Sequence, residues 1–326
     1  MRWFLVALCL ASCRKDDAPS HLERARTAQF LQKPDVAIAE YKLALDLLER
    51  DTSPQSNLYR GRALRGAADL YAFQLADPRR AVEVYRELIT VCPEAPETLE
   101  GRLHLAGLLW HQFRDLRGAI AEYTSALARN PPQSAELSFT VAKLYFELQD
   151  YEQSELEAGK VSQKYETSAW VDDALYLRGQ ALSMMEGRKP EAQRVFLDLL
   201  DRFPESELRA HALVELGRLK ADAGEPEAAI ELWVSALKTH PTPQAVQQQI
   251  ALVRGRLRAT TPRTFGDATA AFDWDKYPVY ERREGEAAPV KGPLPKTSAE
   301  AVGGTAEEAE REAKMPAEIA APAKTP

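Results

Sequence analysis

His104 and His111 stand seven residues apart. On a helix that spacing puts both rings on one face but separates them by about 10 Å along the axis. One metal ion needs ligands at i and i+3 or i+4, so the pair does not form a zinc site. Asp172-Asp173 could attract a cation, but carboxylates in the first turn of a helix are accounted for by the macrodipole. Gly61 to Gly66 encloses Arg62-Ala63-Leu64-Arg65 and lacks the lysine and the preceding strand of a phosphate-cradling loop. Cys92, one residue ahead of Pro93, reads as a small buried filler rather than a reactive thiol. No residue set has catalytic geometry, and the chain is read as a non-enzyme without metal or cofactor. A formal net charge of −7 argues against non-specific nucleic-acid binding. No small-molecule substrate is expected. The remaining chemistry is recognition between surfaces.

The elements that would present such surfaces follow from a repeat. Small residues recur at Ala37, Ala81, Ala119, Ser154, Ala192 and Ala229, in steps of 44, 38, 35, 38 and 37. Four residues after each stands Tyr41, Tyr85, Tyr123, Ala158, Phe196 or Trp233, and three further on Ala44, Leu88, Ala126, Val161, Leu199 or Ala236. An i, i+4, i+7 pattern places all three on one helix face, small residues allowing close approach and large ones filling the gap. Only Ala158 breaks it. Pro93, Pro131, Glu166-Thr167-Ser168, Pro204 and Pro241 close the units, and Ser134, Ser168 and Ser206 offer N-caps for the helices that follow. The stretch Thr242 to Arg258 reads as a terminal helix covering the last hairpin.

Two copies are clearest: Ala106-Gly107-x-x-Trp110…Ala119-x-x-x-Tyr123-x-x-Ala126…Pro131 and Leu216-Gly217…Ala229-x-x-x-Trp233-x-x-Ala236…Pro241. They resemble the tetratricopeptide repeat, a helical hairpin that buries its apolar face by stacking on its neighbours. The expected fold is all-α: an α-solenoid of about six such hairpins over residues 21–258, closed by a capping helix and followed by a disordered tail.

Ahead of the repeats, Met1-Arg2-Trp3 leads into the apolar run Phe4 to Ala11. A basic start and a short apolar stretch form a secretory signal, far below the roughly 20 residues of a transmembrane helix. Leu10-Ala11-Ser12-Cys13 resembles the bacterial lipobox, which implies cleavage after residue 12 and acylation of Cys13; an ordinary signal peptide is the alternative. Two or more acyl chains hold a protein stably. Arg14-Lys15 follow the cysteine in place of the aspartate that retains enterobacterial lipoproteins in the inner membrane, so the resemblance favours the periplasmic face of the outer membrane. Residues 13–20 become a lipidated linker. With Cys9 lost and Cys13 acylated, Cys92 has no partner for an internal disulfide.

Trp170-Val171-Asp172-Asp173-Ala174-Leu175-Tyr176-Leu177-Arg178-Gly179, followed by Ala192…Phe196…Leu199-Leu200…Arg202-Phe203-Pro204-Glu205-Ser206, is similar to the repeats of periplasmic proteins that serve the outer membrane. Examples are the β-barrel-assembly lipoproteins and the Tol-associated cell-division coordinators. The resemblance implies a membrane-anchored scaffold that holds a protein partner of the envelope, first of all in outer-membrane protein assembly. Pilotin-like lipoproteins of secretin or pilus assembly share the anchor-plus-repeats plan, and a regulator of a peptidoglycan synthase or hydrolase is a further alternative.

In repeats of this type the first helix of each hairpin lines the groove. Its exposed stripe gives Arg26, Arg62, Arg65, Asp69, His104, His111, Gln112, Phe139, Lys143, Glu147, Tyr176, Gln180, Arg218 and Asp222 as candidate partner-binding residues. Arginine, histidine and aromatic rings on one wall suit a peptide with acidic and apolar side chains. Beyond the repeats, residues 259–285 carry Phe272, Trp274, Tyr277 and Tyr280 in an acidic-aromatic setting, read as a docking segment for the repeats or for another protein. Residues 286–326, rich in Ala, Pro, Glu and Lys and without aromatics, read as disordered.

Overall fold

The structure is a computed structural model that describes residues 17–49, 51 and 53–260. Cys13, the docking segment beyond Thr260 and the tail from Glu286 lie outside the described residues. Within them the chain forms helices and no strand: α1 (Ala18–Phe30), α2 (Pro34–Leu48), α3 (Pro54–Phe73), α4 (Pro78–Val91), α5 (Glu97–His111), α6 (Leu116–Leu127), α7 (Ser134–Glu147), α8 (Tyr151–Lys164), α9 (Val171–Met184), α10 (Lys189–Arg202), α11 (Arg209–Asp222), α12 (Pro226–Ala236) and α13 (Pro243–Thr260). Each helix packs on the next, and α1 touches α3, α3 touches α5, α7 touches α9 and α9 touches α11. Neighbour-to-neighbour contact of this kind is the order of a solenoid. Six hairpins and a capping helix, α13 against α12, are what the repeat predicted. No described helix is long and apolar enough to cross a membrane.

The second helix of every hairpin buries the predicted face. Ala37, Ala81, Ala119, Ser154, Ala192 and Ala229 are all fully inaccessible, and so are the residues seven positions on. Between them Tyr41, Tyr85, Tyr123, Phe196 and Trp233 fill the space, each full burial stabilising by roughly 1.5–3 kcal/mol. The close approach needs glycine on a facing helix at three of these rings, a Cβ on Gly66 standing 2.3 Å from Tyr41. A Cβ on Gly179 would stand 2.6 Å from Phe196, and one on Gly217 would stand 2.4 Å from the Trp233 indole nitrogen.

The turns inside the hairpins have a common build. Gln32, Ala76, Arg114, Gln149, Gly187 and Gly224 all adopt positive φ two or three residues past the first helix, reversing the chain in the left-handed region. Only two of the six are the glycine that this conformation favours. Asp77, Asp115 and Asp150 then cap α4, α6 and α8, each accepting from the backbone N–H three residues on. The predicted serine caps are corrected. Ser134 is already inside α7 and donates to the Pro131 carbonyl (2.5 Å), while Ser168 and Ser206 accept from the N–H groups of Trp170 and Leu208 in the turns ahead of α9 and α11. Those turns need one or two more residues before the helix begins, so the serine sits too early to cap it.

Cys92 ends α4 with 2% exposure, and burial pushes its thiol pKa up. Its carbonyl accepts from Thr98 (2.5 Å) across the turn into α5, so the filler reading stands.

Candidate protein-interaction surface

The first helices carry residues that meet across repeats at spacings close to one repeat length. Arg62 of α3 pairs with Glu97 of α5 (3.2 Å), and Arg65 pairs with both Asp69 (3.3 Å) and Glu100. Asp69 also accepts from the Tyr85 hydroxyl (2.5 Å) and lies 3.1 Å from His104 Nδ1, which is 3.0 Å from that hydroxyl. Burial first, and then the bond to Asp69, raise the Tyr85 phenol well above its ordinary pKa, so it stays a donor. Phe73 packs its edge on the His104 ring at 5.5 Å. The core of hairpin two is thereby tied to the first-helix surface of hairpins two and three.

The middle of the row is aromatic. Exposed Lys143 of α7 places its ammonium 5.5 Å from the Trp110 ring and 5.8 Å from the Phe139 ring. Trp110 stacks on His111 (4.3 Å) and donates to Glu147 (3.1 Å), and Phe139 stacks on Trp170 (5.4 Å). A cation held over two ring faces gains attraction from their quadrupoles and keeps its outward hydrogens for a partner.

Farther on, Tyr176 of α9 lies between Phe196 (5.9 Å) and His211 (6.2 Å), and its phenol is pushed up to about 12 by burial and then by the charge of Glu215. His211 meets His240 at 4.7 Å. Arg218 pairs with Glu215 (3.0 Å) and Asp222 (3.6 Å) and donates to Ser183 of α9 (3.3 Å), and Lys189 reaches Asp222 (2.8 Å).

The structure therefore brings Asp69 to His104, and Lys143 to Phe139, with Glu147 joined to the same group through Trp110. Arg62, Arg65 and Arg218 are engaged by carboxylates of the chain itself. Arg26 stands exposed on α1, Gln112 is the exposed C-cap of α5, and Gln180 is half-buried on α9. Sequence reasoning left out Trp110, Trp170, His211, Glu97 and Glu100. Trp110 and Trp170 were visible as pattern residues of the repeat; their place in this row depends on which way each ring turns. Among the described residues no three His, Cys, Asp or Glu side chains converge on a metal-sized site. Aromatic rings, one exposed lysine and alternating charges can grip a polypeptide.

Residues 112–169 and 173–206 match profiles of the tetratricopeptide repeat. No curated protein matches the chain. Among solved structures, the C-terminal part of a tetratricopeptide repeat-containing protein from Cytophaga hutchinsonii superposes with a TM-score of 0.52 at 12% identity, over 73% of this chain and 89% of that chain. A tetratricopeptide repeat protein from Parabacteroides merdae gives 0.42 at 16% identity, over 73% and 98%. PilW, a type IV pilus biogenesis factor, also gives 0.42 at 16%, over 72% and 98%. At such identities the likeness concerns the fold. The chain carries tetratricopeptide repeats in an all-helical solenoid, and such repeats serve as scaffolds that bind protein partners.

Proposed function

We propose that this scaffold is displayed in a bacterial envelope, held by acyl chains on Cys13 at the periplasmic face of the outer membrane, where it supports outer-membrane protein assembly. The observation that carries the interaction reading is the group of Trp110, His111, Phe139, Lys143 and Trp170 on the first helices of hairpins three to five. Aromatic side chains of this kind dominate interface energetics because they bury large area at low entropic cost. A partner segment would lay apolar side chains on the Phe139 and Trp170 faces and set a carboxylate against Lys143. The anchor rests on Leu10-Ala11-Ser12-Cys13.

Crosslinking in living cells from a photoreactive residue at His111, with mass spectrometry of the captured protein, tests the reading. Capture of an outer-membrane assembly component is expected. Capture of a secretin or a wall hydrolase moves the scaffold to another envelope task. Recovery of this protein's own residues 272–280 instead would mean that the surface is self-occupied.

A further inference from the structure

The outer face of the first hairpin differs from that of every other. In the second-helix register, the positions one before and two, six and ten after the buried small residue form one outward stripe. In α2 these are Val36, Ala39, Leu43 and Leu47, all exposed, the two leucines at 47%. In α4 the same places hold Arg80, Glu83, Glu87 and Val91, and in α10 Glu191, Arg194, Asp198 and Arg202. Helices α6, α8 and α12 each carry charged, amide or hydroxyl residues at two or more of the four. Phe30 (84% exposed) and Leu31 extend the apolar surface of α2 into the α1–α2 turn. Five of the twelve exposed large hydrophobic residues among those described thus fall in this single hairpin. Packing inside the solenoid does not ask for them, because the other five second helices meet water there mostly with polar side chains, Val91 and Leu156 being the large apolar exceptions.

We infer that this stripe lies on a lipid bilayer surface, with α2 parallel to the membrane. The inference deepens the anchored reading and rests partly on it. Cys13 is four residues ahead of Asp17, the N-cap of α1, a reach of at most about 14 Å. The short turn 31–33 folds α2 back on α1, and His21 in the first turn of α1 lies 2.6 Å from Glu40, midway along α2. The start of α1 therefore lies beside the middle of α2, about one helical turn from Leu43, so a membrane that holds Cys13 comes within reach of the stripe. At 15 residues α2 is too short to span a bilayer, but an amphipathic helix can lie in the interface with its apolar face about 5–10 Å deep. Exposed Lys33, Asp35, Lys42 and Asp46 border the stripe, a mixed-charge rim that matches headgroups bearing both signs.

The test uses the full-length protein with vesicles of phosphatidylethanolamine and phosphatidylglycerol. A genetically encoded environment-sensitive fluorophore replaces Leu43 in one protein and Glu87, its register equivalent, in another, and the mass of the Cys13 peptide is read in parallel. Emission at position 43 should shift to the blue with vesicles and be quenched by spin-labelled lipid, while position 87 does neither. A bound, acylated protein whose position 43 stays in water overturns the stripe and leaves the anchor standing. A blue shift at 43 with no acyl mass on Cys13 keeps the stripe and discards the anchor. A blue shift already present without vesicles overturns the proposal, since the face would then be covered by a second copy or by the chain's own apolar segment.

Discussion

Hairpins two and four occupy equivalent positions in the repeat, yet their cores are opposites. In hairpin two the large-residue place holds Tyr85, fully buried, whose hydroxyl joins Asp69 and His104. In hairpin four it holds Ala158, and the buried residues of α8 are small: Ser154, Ala158, Gly159, Val161 and Ser162. The consequence is a break in the apolar core. One cluster runs without interruption from α1 to α7, whereas Ala142, Ala158 and Leu177 form a small separate group, followed by others at α9–α11 and at α12–α13. A repeat can thus lose its bulkiest side chain and keep its fold, because stability is shared between intrinsic and neighbour terms. Its cost is local cohesion.

The largest expected effect comes from removing what hairpin two has. Tyr85→Ala should cost about 3–5 kcal/mol, combining a cavity with a carboxylate that loses its donor, as read by urea unfolding. A cost below about 1 kcal/mol would mean that the continuous cluster is not a cohesive unit. Next, Ser154→Ala should stabilise hairpin four by about 1 kcal/mol, since the Ser154 hydroxyl is buried and has no partner among the described residues. Hydrogen exchange of α8 amides, faster than that of α4 amides in the parent, should slow in this variant. A smaller effect should be equal in the two hairpins. Ala76 (φ 50°) and Gln149 (φ 60°) occupy the same turn position, so Ala76→Gly and Gln149→Gly should each stabilise by about 0.5–1 kcal/mol in thermal melts. Unequal gains would show that the turns, and not only the cores, differ.

The smallest effect lies outside both hairpins and serves as their pH control. Burial, then the neighbouring His211, lower the pKa of His240 below its ordinary 6.5. The folded state binds fewer protons there than the unfolded chain, so this stability is present above pH 6.5 and is lost as pH falls through the lowered value. His240→Gln should flatten the pH dependence of the C-terminal melting step between pH 7.5 and 5 without altering exchange in α4 or α8.

Much of the fold was legible because helix periodicity and small–large alternation are one-dimensional signals. Ala81, Tyr85 and Leu88 declare a buried face by spacing alone, and the same arithmetic locates all six second helices. The caps were less legible. Serine in a turn between helices looks like an N-cap, but the turns before α9 and α11 need further residues, and aspartate does the capping in the hairpin turns before α4, α6 and α8. The surface was the least legible part. Propagating a stripe from His104 selects His111 and passes over Trp110, whose ring lies over Lys143 only because α5 and α7 are brought side by side.

The sequence by itself determined the repeat length, the hairpin count and the buried register, since each depends on residues near one another along the chain. Only the tertiary structure decided that Arg62 and Arg65 are held by carboxylates of the next hairpin, that Tyr85 couples the core to the surface, and that Trp110, Lys143, Phe139 and Trp170 meet. Those facts join residues from about half a repeat to one repeat apart, and their partners are chosen by the angle at which helices and hairpins stack and by side-chain rotamers that no periodicity encodes.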